Sequence, residues 1–253
     1  MSTESILTMS EVSKRFGGLL AVNDLSLTIG RQQICGLIGP NGAGKTTVFN
    51  LITGVHKCTQ GSIISESADL TLLKPHEITR MGLARTYQTI RLFNSMTVWE
   101  HVVVGQNGLN RGSKKEEHPH THKRDKGLKH EAGEILHLLG LWEMRDRKAS
   151  NLAYGTQRKV EIARALATRP KLLLLDEPTA GLNNQETGRL LKMLQRIHEL
   201  GVTLLIIEHD MKFIMELCDH IFVLNFGQKI AEGTPAQVRI NEQVIESYLG
   251  REN

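Results

Sequence analysis

The stretch QICGLIGPNGAGKTTVFNLI, residues 33–52, decides the fold of this chain. Its first part, residues 33–38, is a short apolar run that predicts a buried strand. A loop with three glycines follows at residues 39–47, and the apolar spacing of residues 48–52 then predicts a helix. A strand, a glycine-rich loop and a helix in this order form the βα unit of a parallel sheet.

The glycine-rich loop matches the pattern GxxxxGK[ST], which cradles phosphate groups when a strand precedes it and a helix follows it. Gly42 and Gly44 let backbone N–H groups approach phosphate oxygens without a Cβ in the way. Lys45 is placed to reach the β- and γ-phosphates, and the Thr46 hydroxyl is a ligand for Mg²⁺. We therefore predict a nucleotide-binding loop made of Gly39, Pro40, Asn41, Gly42, Ala43, Gly44, Lys45, Thr46 and Thr47.

A second buried strand is predicted over residues 171–175, and it leads into Asp176 and Glu177. The first carboxylate is placed to hold Mg²⁺ directly or through water, and the second to polarise an attacking water. The apolar run at residues 202–207 predicts another strand. His209 follows it and would lie at the edge of the sheet where ligands of α/β proteins bind. Apolar strands joined by helices predict an α/β fold.

Composition excludes several classes of protein. The 253 residues are 40% hydrophobic and 23% charged, which excludes a disordered or fibrous chain. Lys and Arg number 31 against 27 Asp and Glu, and the net charge of +4 is too small to indicate nucleic-acid binding. The three cysteines are scattered, so neither a disulfide framework nor a zinc site is expected. Neither a signal peptide nor an apolar run of membrane-spanning length is visible, so we expect the chain in the cytosol.

The composition changes over residues 111–130, where charged residues are frequent and apolar residues few. This pattern predicts a solvated loop or a mobile hairpin between helices. His118, His120 and His122 raise an alternative, a metal site. We favour the loop, because nothing in the surrounding segment would hold the three imidazoles in place.

Further motifs make the chain resemble the ATP-binding subunits of ABC transporters over essentially its whole length. They are Gln88 in RTYQ, LAYGTQR at residues 152–158, LLLLDEP at 172–178, AGLN at 180–183 and His209. Glycine-rich phosphate loops occur in many nucleotide hydrolases, whereas Leu-x-x-Gly ahead of LLLLDEPTAGL is specific to this group. The resemblance implies an α/β fold with a RecA-like P-loop NTPase core, an antiparallel β layer and an inserted helical subdomain.

The resemblance also implies a domain organisation. A single ABC nucleotide-binding domain would span residues 1–253. Residues 1–87 and 160–253 would form the catalytic RecA-like and β lobe. Residues 88–159 would form the helical subdomain, with the charged insert at 111–130.

Roles for single residues follow from the same resemblance. Phe16 would stack on adenine, with ordinary core packing as the alternative. Gln88 would contact Mg²⁺ and the attacking water and would sense the membrane partner. Glu177 would be the catalytic base, and His209 would hold the γ-phosphate. A signature segment would complete the nucleotide site of a second ATPase subunit, so that two chains sandwich two ATP molecules head to tail; it consists of Ala153, Tyr154, Gly155 and Thr156.

The signature segment departs from the LSGGQ of the broad family, and Asn183 stands where aspartate is commoner. Most of these departures resemble the ATPases of branched-chain amino acid importers, although Thr156 is unusual even there. The same subgroup is indicated by FGGLLAV at residues 16–22, IEHDM at 207–211 and IAEGTP at 230–235.

The resemblance thus predicts an ATP-hydrolysing importer subunit for branched-chain amino acids, at the cytoplasmic face of the bacterial inner membrane. It would use ATP and Mg²⁺. Its partners would be two transmembrane permease subunits, a second ATPase subunit (identical or homologous) and, indirectly, an extracytoplasmic substrate-binding protein, but no nucleic acid. The alternatives are an importer for urea or short amides and a lipopolysaccharide export system, although Tyr154 breaks the glycine pair that the export group keeps. A soluble ABC protein acting on ribosomes or DNA would carry two cassettes or a long coiled coil, and this chain has neither.

Overall fold

The computed structural model describes residues 4–66, 68–107 and 121–249, which form two β-sheets and the helices around them. The strands are β1 (Ser5–Phe16), β2 (Leu19–Gly30), β3 (Ile34–Ile38), β4 (Gln60–Ser65), β5 (Ala68–Asp69), β6 (Leu83–Arg85), β7 (Leu172–Asp176), β8 (Thr203–Ile207), β9 (His220–Asn225) and β10 (Gln228–Gly233). The helices are α1 (Lys45–Ile52), α2 (Pro75–Arg80), α3 (Val98–Gln106), α4 (Thr121–Leu138), α5 (Tyr154–Leu166), α6 (Asn184–Glu199), α7 (Met211–Leu217), α8 (Pro235–Arg239) and α9 (Glu242–Leu249). The predicted α/β class is confirmed.

The larger sheet has six strands in the order β10-β9-β3-β8-β7-β6, and only the β9–β10 pair is antiparallel. Every residue of β3, β7 and β8 is buried, as their apolar runs predict. Leu37 pairs with Ile207, and Ile207 pairs with Asp176, so these three strands end level at one edge. The phosphate loop, Glu177 and His209 follow the three strand ends and are brought to that edge.

The smaller sheet is antiparallel, with four strands in the order β2-β1-β4-β5. Its buried residues Leu7, Leu25 and Ile63 share one hydrophobic core with Phe49 of α1 and Leu174 of β7. Because side chains alternate between the two faces of a strand, one face of this sheet can pack on α1 and the larger sheet while the other meets solvent. This sheet is the expected antiparallel β layer.

In the described ranges, the chain between β6 and β7 is mainly helical. Val98 and Val102 of α3, Ala132 and Leu136 of α4 and Val160 of α5 are buried together where these helices meet. The predicted limits of a helical subdomain stay a prediction. Among the helices of the described ranges, none combines the length and the hydropathy that crossing a bilayer requires.

Helix α4 corrects the prediction made for the charged insert. It begins at Thr121, so residues 121–130 are helical, and the predicted loop or hairpin is wrong there. Lys, Arg and Glu are good helix formers, so a charged composition is compatible with helix as well as with loop. The helix is held by a hydrogen bond of 2.7 Å from Gln106 Nε2 to the backbone oxygen of Leu128, and by the burial of Ala132 one turn later.

The metal site considered for the insert falls on its histidine-rich part. Residues 111–120, with His118 and His120, lie outside the described residues, and so does the side chain of His122. Within the part of the chain that the structure describes, no group of three or more His, Cys, Asp or Glu side chains could hold a metal ion.

A buried ion pair joins α5 to the segment that carries Gln88. Arg158 Nη1 donates to Glu161 Oε2 at 2.8 Å, and both side chains are only 1% exposed. The same guanidinium donates to the backbone oxygens of Tyr87 and Gln88 at 2.7 and 2.8 Å. Burial raises the pKa of Glu161, while Arg158 opposes that shift. The pair therefore holds α5 against the segment that follows β6.

We predict that Arg158→Met lowers the free energy of unfolding by about 3–5 kcal/mol, because it leaves the Glu161 carboxylate buried without its partner. Urea denaturation followed by circular dichroism measures this loss. Lys171→Met is the control, since Lys171 is 53% exposed and pairs with Glu66 at 2.9 Å. An exposed pair of this kind contributes less than about 1 kcal/mol. Equal, small losses in both variants would contradict the prediction.

Candidate active site

A cleft of about 350 Å³ lies at the carboxyl edge of β3, β7 and β8. It is bordered by the phosphate loop, the start of β2, the loops after β7 and β8, and the turn between β9 and β10. Its lining residues are Leu19, Leu20, Ala21, Asn41, Gly42, Ala43, Gly44, Lys45, Thr46, Thr47, Glu177, His209 and Phe226. The structure therefore brings Glu177 and His209 to the phosphate loop, as their positions after strands predict.

Two positions of the phosphate loop require glycine. Gly39 has a φ of +147°, and a Cβ there would lie 2.1 Å from the backbone oxygen of Leu224 in β9. Gly44 has a φ of +101°, and its Cβ would lie 2.5 Å from the backbone oxygen of Ala21. The loop can thus pack closely on its neighbours while α1 begins at Lys45, which places the positive end of the helix dipole at the cleft.

Lys45 is a buried cation held by the loop itself. Its Nζ donates to the backbone oxygens of Gly39 and Pro40 at 2.7 and 2.9 Å. Burial lowers the pKa of Lys45, and the nearby carboxylates of Glu177 and Asp176 oppose that shift. A phosphate oxygen would add a negative partner for this ammonium and would favour its charged form.

Asp176 is buried at the end of β7 and pairs with Arg85, a residue that the sequence analysis did not select. Arg85 Nη2 donates to Asp176 Oδ2 at 2.7 Å, and the two side chains are 6% and 4% exposed. Arg85 Nη1 donates to Asn50 Oδ1 of α1 at 2.6 Å. The guanidinium therefore connects the carboxylate at the end of β7 to helix α1. Arg85 opens the RTYQ motif that contains Gln88, but nothing in the sequence places β6 beside β7.

The Glu177 carboxylate lies between the two other predicted catalytic side chains. Gln88 Nε2 donates to Glu177 Oε2 at 2.7 Å, and His209 Nε2 lies 2.7 Å from Glu177 Oε1. The backbone N–H of Glu177 donates to the backbone oxygen of Ile207 at 2.9 Å, across from β7 to β8. Glu177 has a φ of +46°, which is uncommon for a residue other than glycine and is typical of functional sites.

Phe16 lies at the end of β1 and is not one of the lining residues of the cleft within the described chain. It is 40% exposed, and its ring meets that of His56 edge to face, with 5.1 Å between the ring centroids. Lys14 Nζ lies 4.8 Å from the centroid of the same ring. Stacking of Phe16 on adenine stays a prediction. The apolar walls of the cleft are formed instead by Leu19, Leu20 and Phe226. None of the three was predicted as a site residue, although Leu19 and Leu20 lie in FGGLLAV.

The signature segment lies at the start of α5, where Ala153 is the N-cap residue. None of its four residues is among the described residues that line the cleft. Tyr154 is 44% exposed, and its ring lies against Gly181, where an added Cβ would meet it at 2.9 Å. The segment therefore packs on the loop after β7 and offers an exposed aromatic ring outside its own nucleotide cleft.

Asn183, noted above as a departure, caps α6. Its Oδ1 accepts hydrogen bonds from the backbone N–H groups of Gln185 and Glu186, both at 3.0 Å. Glu186 completes a capping box by accepting from the backbone N–H of Asn183 at 3.0 Å. A neutral amide thus does the capping that an aspartate could also do.

Comparison with known protein families connects this cleft to a function. The family model described as "ABC transporter" matches residues 22–180, which include the phosphate loop, Gln88, the signature segment and Glu177. The chain belongs to the ABC transporter family. A second model, "Branched-chain amino acid ATP-binding cassette transporter", matches residues 228–252 at the end of the chain.

Similar proteins and structures agree with this membership. The chain is 45% identical to the high-affinity branched-chain amino acid transport ATP-binding protein LivG of Escherichia coli K12, over 98% of this chain and 99% of that protein. It is 33% identical to an ATP-binding cassette of an ABC transporter solved in its ADP conformation, with a TM-score of 0.84 and coverage of 98% and 99%. A dimeric structure of a bacterial ABC transporter cassette is 25% identical, with a TM-score of 0.76 and coverage of 90% and 98%.

These findings confirm the predicted family, the fold of an ABC cassette and the class of enzyme, an ATPase coupled to transport. ABC cassettes of this family bind adenine nucleotides and occur as dimers. The roles of single residues stay predictions, although the cleft brings together the phosphate loop, Glu177 and His209.

We predict that Lys45→Met weakens ATP binding at least about tenfold, because a charge-assisted contact to phosphate contributes about 1.5–3 kcal/mol. Isothermal titration calorimetry gives the dissociation constant. Lys192→Met, which removes an exposed lysine of α6, is the matched control and should bind ATP like the wild type. Unchanged affinity in Lys45→Met would remove this lysine from the nucleotide site.

Proposed function

We propose that this chain is the ATP-hydrolysing subunit of an importer for branched-chain amino acids. The observation that carries the ATPase chemistry is the Glu177 carboxylate, held at 2.7 Å from both Gln88 Nε2 and His209 Nε2 beside the phosphate loop. The choice of solute is supported by the family model that matches residues 228–252 and by the name of LivG.

In the proposed reaction, the phosphate loop and Lys45 hold the triphosphate by backbone N–H groups and a buried positive charge. The water oxygen forms a bond to the γ-phosphorus, and the bond from that phosphorus to the bridging oxygen of ADP breaks. Glu177 accepts a proton from the water and passes it on to the released phosphate. His209, beside Glu177, donates to a γ-phosphate oxygen, and Gln88 orients the water.

The side chains present fit a Mg²⁺ ion, which prefers hard oxygen ligands. Thr46 lines the cleft, and the Asp176 carboxylate is close enough to Lys45 to act on its pKa. We propose that Thr46 and Asp176 hold the ion, with Gln88 at its side. When bound, Mg²⁺ would neutralise charge on the β- and γ-phosphates.

The signature segment points to a second cassette. Ala153, Tyr154, Gly155 and Thr156 lie away from the cleft of their own chain and start a helix of 13 residues, whose N-terminus favours anions. We propose that they complete the nucleotide site of a partner ATPase, identical or homologous, in a head-to-tail dimer. The dimeric cassette that resembles this chain supports the pairing of two ATPases.

An importer also needs membrane subunits and a protein that selects the solute. We propose that two transmembrane permease subunits bind the chain at the cytoplasmic face of the bacterial inner membrane. An extracytoplasmic substrate-binding protein would select the solute, and nucleic acid would have no part. Within the helical subdomain proposed for residues 88–159, Phe93 is an exposed apolar side chain next to the Gln88 segment, as a groove for a permease helix requires.

An importer for urea or short amides is the second candidate, because its ATPase would need the same cleft. Lipopolysaccharide export is less favoured. Tyr154 replaces a glycine of the signature, and the end of the chain matches the branched-chain model.

We predict that Glu177→Gln binds ATP with unchanged affinity and hydrolyses it at less than about a tenth of the wild-type rate, since the general base is lost. A phosphate-release assay at saturating Mg²⁺–ATP measures the rate. Glu199→Gln, in the last turn of α6, is the control and should leave the rate unchanged. Normal turnover of Glu177→Gln would exclude this residue as the base.

We further predict that tagged Glu177→Gln chain, purified from detergent-solubilised bacterial membranes with Mg²⁺–ATP, carries two polytopic membrane proteins with it. The same purification without nucleotide is the control and should yield less of any second ATPase, because ATP would bridge the two cassettes. Uptake of radiolabelled leucine and urea then separates the two candidate solutes. Recovery with ribosomes or DNA alone would overturn the transport proposal.

A further inference from the structure

A buried carboxylate outside the residues assigned so far joins the loops that follow β7 and β8. Glu208 directly follows β8 and is only 3% exposed. Its Oε1 accepts hydrogen bonds from the backbone N–H and from the hydroxyl of Thr179, at 2.6 and 2.5 Å. Its Oε2 accepts a hydrogen bond from the backbone N–H of His209 at 3.0 Å. One side chain thus binds both loops at once.

The residues that make these hydrogen bonds are close in the sequence to the proposed catalytic residues Glu177 and His209. Thr179 follows Glu177 by two residues, and Glu208 directly precedes His209. The paired residues of β7 and β8 end with Asp176 and Ile207. Beyond these strand ends, the hydrogen bonds of Glu208 connect the two loops. The backbone N–H of Glu177 also donates a hydrogen bond to the backbone oxygen of Ile207. The contact between the Glu177 and His209 side chains lies just beyond these ties.

The chemistry of the site explains why a carboxylate is present. Three donors converge on Glu208, and an ionised carboxylate offers two oxygens that only accept. Hydrogen bonds to an ionised acceptor are stronger and shorter than those to a neutral one. A buried charge is costly unless its hydrogen bonds are made, and here the donors come from the two loops that carry the catalytic residues.

We propose that Glu208 is a positioning residue for ATP hydrolysis. It holds Thr179 and the loop around it against the backbone of His209. It thereby sets the distance between the Glu177 carboxylate and the His209 imidazole. This inference rests on the proposed function, since it assigns Glu208 a part in the same reaction.

The first test is Glu208→Gln in the full chain. The amide keeps the size of the side chain, but its NH₂ donor must face either the two donors of Thr179 or the N–H of His209. The side chain can then no longer accept from Thr179 and from His209 at once. We expect kcat to fall about 10- to 100-fold, because a misplacement of about 1 Å in a catalytic group has such an effect. The dissociation constant for ATP should change less than about threefold, since Glu208 is not a lining residue of the cleft.

A second pair of variants tests the contact between Glu208 and Thr179 from the loop after β7. Thr179→Val removes the hydroxyl donor and keeps the backbone N–H, whereas Thr179→Ser keeps both. We expect the valine variant to lose kcat and the serine variant to retain it. Glu216→Gln, an exposed glutamate of α7, is the control for removal of a negative charge and should behave as the wild type.

Three readouts separate positioning from a merely structural role. Thermal unfolding and ATP-binding stoichiometry, measured on the same preparations, should stay close to wild type. In a Glu177→Gln background, Glu208→Gln should cause no further loss of turnover, because it acts through Glu177. The inference is overturned if Glu208→Gln keeps kcat within about twofold, or if its loss of kcat matches a loss of folded, ATP-binding protein. Absence of ATPase activity in the wild type would instead refute the proposed function itself.

Discussion

Strands β3, β8 and β7 pair in parallel and end level, so the loops that follow them leave the sheet at one edge. The phosphate loop, Glu177 and His209 meet there as a consequence of strand register. Their side chains are then fixed by bonds between loops, with Glu177 held by Gln88 and His209. Three fully buried strands thus determine the geometry of groups that lie on loops.

The same edge concentrates charges that are largely removed from water. Lys45 is surrounded by backbone oxygens of its own loop, and Arg85 and Asp176 form an ion pair beside it. Arg158 and Glu161 form a second buried pair behind the Gln88 segment. Electrostatic interactions are stronger in such an environment, which favours binding of a polyanion and stabilisation of developing charge. The buried charges that would act on a nucleotide are therefore also charges that need opposite charges or hydrogen-bond partners in the folded state.

The parts of the site that could be predicted are those specified by local chemistry. The glycine spacing of the phosphate loop is visible in the sequence and reflects the backbone that binds phosphate. Apolar runs located the strands before Asp176 and His209. Contacts between distant segments could not be predicted in this way. Arg85 reaches Asp176 only because β6 pairs with β7, and Phe226 reaches the cleft only through the turn between β9 and β10. The start of α4 was missed because a charged stretch becomes helical when a tertiary contact anchors it.

The left-handed backbone of Glu177 has a consequence for the evolution and engineering of this chain. A φ of +46° disfavours every residue with a Cβ, by about 1–2 kcal/mol, and glycine would adopt it without strain. The residue at this position is therefore one that no selection for conformational stability would choose. A redesign that ranked substitutions by folding free energy alone would replace this glutamate early, and the protein would lose the carboxylate to which we assign the role of general base.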